Sequence, residues 1–142
     1  MFYCVLGVVL VILFIPFHEF LHALAYKIVG AKKVSFYLNF RKMYFAAISD
    51  KSVINLGEFK IVALTPFLFV MVVSLFLIFQ VNEYWVFTIL LFLLLHNVFC
   101  GGDFSLLNFM QTKKETRIVT FDDKEKSETY FYIKKEVDKN DY

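Results

Sequence analysis

Residues 2–29 read FYCVLGVVLVILFIPFHEFLHALAYKIV, an apolar run with His18-Glu19-Phe20-Leu21-His22 set deep inside it. As a helix the run is long enough to cross a bilayer at a tilt. On that helix His18 and His22, four residues apart, project from one face. Two imidazoles so placed can bind one Zn²⁺, with Glu19 beside the metal to act on a bound water. Two histidines and a carboxylate cost roughly several kcal/mol to hold in hydrocarbon, so a helix that merely anchored the chain would do better with Leu or Val in their places. The competing reading is a soluble-type buried helix whose polar groups pair with neighbours. The apolar setting weighs against it.

The rest of the composition agrees with a membrane protein. The chain has 142 residues, 59% hydrophobic and 20% aromatic, 19 of them Phe, with a mean hydropathy of +0.63. That is far too apolar for a soluble domain of this size. A net charge of +2 is too small to imply nucleic acid. Cys4 and Cys100 fall in different apolar runs expected near opposite membrane faces, which disfavours a disulfide. The first run follows Met1 directly and carries the motif, so it does not read as a cleaved leader.

The expected fold is an all-α membrane protein with three transmembrane helices, at about residues 2–29, 61–79 and 84–100. A membrane-surface β-hairpin, about residues 33–48, lies between the first two, with Asn39-Phe40-Arg41-Lys42 as its turn. Pro16 can kink the first helix ahead of the histidines, and Gly30 reads as its stop. Thr65-Pro66 is placed near the start of the second helix, where proline costs least. Gly101-Gly102 is expected to break or bend the third. Residues 1–110 form the core. Residues 111–142, with eight basic and eight acidic residues, form a polar tail with a second small β-hairpin around Asp122-Asp123-Lys124-Glu125-Lys126. From Lys27 to Lys60 there are seven Lys/Arg against Asp50 and Glu58, whereas the loop after the second helix has only Glu83. The positive-inside rule puts the first loop and the tail in the cytoplasm and the N-terminus outside.

Catalytic zinc usually takes three protein ligands and a water. Asp103 is the first candidate for the third. It arrives at the depth of His18 and His22, a lone carboxylate there would be costly, and flanking glycines would let the backbone come close. His96 and then Cys100 are the alternatives, since imidazole and thiolate also suit zinc. Asn97 could support the substrate carbonyl or serve as interhelical glue. The first hairpin could pair its edge with an extended peptide or simply anchor the loop.

Taken together, these residues resemble the site-2 protease family. The shared features are HExxH in the first of three core helices, a hairpin after it, a proline-bearing second helix, and an Asn…Asp segment ending the third. More narrowly, His18-Glu19-Phe20-Leu21-His22-Ala23-Leu24, Gly30-Ala31-Lys32-Lys33-Val34-Ser35 and Gly101-Gly102-Asp103 resemble a group of small bacterial zincin peptidases related to that family. The resemblance implies His18, His22 and Asp103 as ligands of one Zn²⁺ per chain and Glu19 as general base. It implies a membrane-protein or membrane-peptide substrate, with the bilayer itself as the other partner, in the bacterial cytoplasmic membrane. A homo-oligomer is compatible with it. The chain departs from the larger family in lacking the NPxPxxxDG segment, having Phe104 where that family has Gly, and in lacking a PDZ domain. The alternatives are an inactive relative that binds membrane segments or serves a transporter as accessory subunit, and a metal-binding module without hydrolysis.

Overall fold

The computed structural model describes residues 2–39, 44–113, 118–123 and 128–133. Four helices and five short strands follow in the order α1 (Phe2–Ile28), β1 (Val34–Asn39), β2 (Tyr44–Ser49), β3 (Val53–Asn55), α2 (Leu56–Ile78), α3 (Glu83–Phe99), α4 (Gly101–Thr112), β4 (Ile118–Asp123) and β5 (Glu128–Ile133). Both expected hairpins form. The expected turn residues 40–42 and 124–126 lie outside the described residues.

Tyr3–Ile28 and Leu56–Ile78 are long and apolar enough to cross a membrane, and in an apolar 18-residue stretch of each only 17% and 28% is buried. A helix so apolar and so little covered by its own chain matches lipid rather than water as its surroundings. Helices α3 and α4 meet at an angle of 42°, so they amount to a third span only if the bent pair is taken as one. Where the bend falls, the Cys100 and Phe104 amides still bond the carbonyls of His96 and Cys100.

The helix ends follow from local sequence. Gly30, at φ 89°, closes α1 in a Schellman motif, with the Ala31 amide on the Tyr26 carbonyl and the Gly30 amide on that of Lys27. Asn55 and Glu58 form a reciprocal capping box, at 3.0 and 2.8 Å, that starts α2. This start lies five residues before the expected one, so Pro66 sits inside the helix and not in its first turn. Gly7 lets α1 pack tightly on α3, since a Cβ there would lie 3.2 Å from Leu91 Cδ2 and 3.3 Å from the Thr88 carbonyl oxygen.

Among the described residues an apolar cluster gathers where α1 ends, α2 begins and α4 passes, and includes Tyr26, Phe59, Val62, Leu107 and Met110. Ile54 of β3 and Ile118 of β4 join it from the sheet side. β1 and β2 pair antiparallel with Phe36 opposite Ala47. The second hairpin does not stand alone, for β3 pairs with β4 and makes a sheet of order β3-β4-β5. The two sheets are joined at a corner, where Asp50 and Asp122 bridge in parallel and the Lys51 amide bonds the Asp122 carbonyl at 2.9 Å.

Candidate metal centre and its cavity

The α1 helix carries His18, Glu19 and His22 to the level where α4 begins, and there Asp103 meets both histidines. His18 Nε2 and His22 Nε2 are 3.1 Å apart. Asp103 spans the pair, Oδ2 lying 3.4 Å from His18 Nε2 and Oδ1 3.3 Å from His22 Nε2. Zinc bonds of about 2.0–2.2 Å at tetrahedral angles separate neighbouring ligand atoms by roughly 3.3–3.5 Å. The three donors therefore outline one face of such a shell, in the chemical combination zinc takes at catalytic sites.

Each histidine is held through its other nitrogen. His22 Nδ1 lies 3.0 Å from the carbonyl oxygen of Val62. That carbonyl is free because the helical donor it would otherwise receive is the amide of residue 66, and Pro66 has none. The proline thus leaves an acceptor in α2, His22 donates to it, and the ring is fixed with Nε2 toward Asp103. His18 Nδ1 faces His96 Nε2 at 3.1 Å.

Glu19 accepts a hydrogen bond from the Ala47 amide of β2 at 2.7 Å. The next outward amide on that edge, Ser49, donates to Asp122 Oδ2 at 3.2 Å, and Thr129 donates to Asp122 Oδ1 at 2.8 Å. At Ala47 and Ser49, then, the outer edge of β2 is engaged by two carboxylates. Glu19 also lines two cavities. One, of about 200 Å³, is bounded by His22, Asp103, Gly102 and Ala47 and walled by Thr120, Asp122 and Thr129 of the β4–β5 hairpin. The other, of about 290 Å³, runs past His18 and His96 between Phe14, Phe45 and Phe99.

The structure thus brings His18, Glu19, His22 and Asp103 together. His96 and Cys100 are buried beside them, and with His18 they make a second group of donors. His96 approaches the nitrogen of His18 that points away from His22 and Asp103, so it stands outside their donor set. Asn97 is exposed on α3 and lines neither cavity. The glycines before Asp103 act differently from the expectation. A Cβ at Gly101 or Gly102 would meet nothing within 4 Å, so close backbone approach is not what they supply. Gly102 instead leaves open the cavity wall next to Asp103.

Three features of the site were not foreseen: the Val62 carbonyl, the Ala47 amide and the Asp122–Thr129 wall. The first had a signal in Pro66, four residues on. The other two come from chain segments remote in sequence and had no local one.

No curated protein and no solved structure matches the chain. A family model described as "Putative zincin peptidase" matches residues 11–118, a span that holds both histidines, Glu19 and Asp103. The chain belongs to that zincin peptidase family.

Proposed function

We propose that the chain is a zinc-dependent intramembrane endopeptidase of site-2 protease type, cutting peptide bonds in or next to membrane segments of other proteins. The observation that carries this reading is the donor triangle of His18, His22 and Asp103, on helices with the composition of membrane spans, with Glu19 on the wall of the adjoining cavity. These three residues would hold one zinc. When bound, zinc supplies Lewis acidity toward a peptide carbonyl and lowers the pKa of a coordinated water. Glu19 takes a proton on its free carboxylate oxygen from the water that adds to the carbonyl carbon, and returns it to the amine as the C–N bond breaks. The Ala47 amide keeps the other oxygen in place.

A substrate helix hides its peptide bonds and must unwind before it is cut. The edge of β2 beside Glu19 suits such an extended segment, which would take the Ser49 amide now on Asp122 and leave Ala47 on Glu19. The bent α3–α4 pair serves as the third span. The Lys/Arg bias of the first loop supports a cytoplasmic side for that loop and the tail.

The test is zinc content beside cleavage of a co-expressed membrane substrate, in wild type and Glu19→Gln. Wild type should hold about one zinc per chain and cut. The variant should hold the same zinc and not cut, because the base is gone and the ligands remain. Wild type purified without chelator yet free of transition metal would refute the metal centre. Zinc-loaded wild type that cuts no better than Glu19→Gln, neither of them cleaving, would leave the inactive relative as the better reading. Reporters at Asn82 and Tyr142 should fall on opposite sides of the membrane.

A further inference from the structure

We infer that His96 is a positioning residue that holds the ligand His18 through a histidine–histidine hydrogen bond. The inference rests on the zinc reading above. For His18 to offer the Nε2 lone pair to a metal, its proton must sit on Nδ1. A buried N–H without an acceptor costs about 1–3 kcal/mol. His96 Nε2 stands 3.1 Å from that nitrogen. To accept, His96 must carry its own proton on Nδ1, so the direction of the pair is set by the metal end.

The supporting ring is itself fixed. His96 is 2% exposed and lies one turn before the α3–α4 bend. Phe14 packs edge-on to it at 5.6 Å and Phe92 stacks on it at 6.0 Å. Its lone pair therefore points at His18 before any metal arrives. Cys100 does not turn this group into a second metal shell. Its sulfur is 3.7 Å from His96 Nδ1 and 4.0 Å from Nε2. Near-equal distances to both nitrogens place it beside the ring, off the axis of either lone pair. A sulfur sharing one tetrahedral zinc with either nitrogen would sit roughly 3.6 Å from it and roughly 5 Å or more from the other.

The two ligand histidines are thus supported differently, His22 by a backbone carbonyl and His18 by a side chain that mutation can remove. Outer partners of metal ligands typically account for roughly 10–100-fold in affinity. The experiment is zinc affinity by chelator competition for wild type, His96→Leu and His96→Gln, with thermal melting of each metal-free protein alongside. His96→Leu should bind zinc roughly 10–100-fold more weakly. His96→Gln should recover most of the loss, because its side-chain oxygen can accept from His18 Nδ1, while the two variants melt alike. Equal affinity for His96→Leu and wild type would overturn the inference, as would a His96→Gln as weak as His96→Leu. Cobalt-loaded wild type should lack a thiolate-to-metal absorption band. A band that Cys100→Ser abolishes would make Cys100 a ligand and overturn it too. Wild type that binds no zinc would refute the zinc reading itself.

Discussion

The two sides of the histidine–aspartate cluster are built of different material. Toward α3 the cluster is backed by helices and aromatic rings, with His96 against His18 and Phe14 and Phe92 packed on His96. Toward the strands it opens on a cavity walled by Ala47, Thr120, Asp122 and Thr129, with a free volume of about 200 Å³. The helical side fixes the histidines and keeps a cavity of about 290 Å³ past His18 and His96, and the strand side adds backbone edges to its own cavity. An enzyme that must hold a metal still while admitting an unwound peptide needs both, and here they fall on opposite faces of one helical turn.

The largest effect should come from breaking the ligand side. Asp103 lies within 3.4 Å of both histidines, and on the zinc reading proposed above its removal takes away one of three ligands and a charge-assisted bond. Asp103→Ala is expected to lose zinc and proteolysis together, whereas Cys100→Ala should keep most of its zinc. Zinc stoichiometry beside substrate cleavage checks this. An Asp103→Ala protein that keeps zinc while His96→Ala loses it would exchange their roles.

The strand side should respond in the opposite way. Gly102 lines the cavity next to Asp103, and a Cβ there would meet nothing within 4 Å. Gly102→Leu should therefore fill the peptide path and cut cleavage by roughly tenfold or more, about 1.4 kcal/mol of lost transition-state binding. Zinc content should stay that of wild type. Loss of zinc in Gly102→Leu would show that the two sides are not separable.

How much of this was legible depends on how far apart in the chain the partners lie. His18, Glu19 and His22 are one helical turn and needed only their spacing. Asp103 needed the depth argument, and the structure places it on the histidines. The start of α2 was missed because Gly57, Glu58 and Lys60 interrupt the apolar pattern, although Asn55 and Glu58 carry the capping signal. β3 is three residues long and forms only because β4, more than sixty residues on, pairs with it. No local pattern announces such a strand. The cavity wall at Asp122 depends on that pairing, so it was hidden for the same reason.

Asp122 offers a milder probe of the wall. Burial raises its pKa, and the neighbouring Asp50 adds to the rise against the hydrogen bonds from Thr129 and Ser49. A carboxyl raised in the folded state stabilises most when protonated, below its unfolded pKa of about 3.9. That contribution is lost as pH rises through the folded value. Wild type should therefore melt at a somewhat higher temperature at mildly acid than at neutral pH, relative to Asp122→Asn, which lacks the titration. The check is the difference between the two melting curves against pH. A difference that does not change with pH would mean that Asp122 ionises in the wall without cost.

The smallest effect is expected at Pro66, where the helical side is tuned and not broken. Pro66→Ala restores an amide that can donate to the Val62 carbonyl, the acceptor now used by His22 Nδ1. A carbonyl has two lone pairs, so the two donors can share it, and the histidine bond is weakened without being lost. The loss in zinc affinity should fall below the roughly 10–100-fold typical of removing an outer partner. Replacing proline inside a helix by alanine should at the same time stabilise α2, since the missing bond and the ring's clash with the preceding turn both disappear. A protein that melts higher yet holds zinc a few-fold more weakly is the expected outcome, read from chelator competition and melting of the same sample. Tighter zinc binding in Pro66→Ala would mean that the free carbonyl plays no part in orienting His22, and that the proline acts only through the shape of α2.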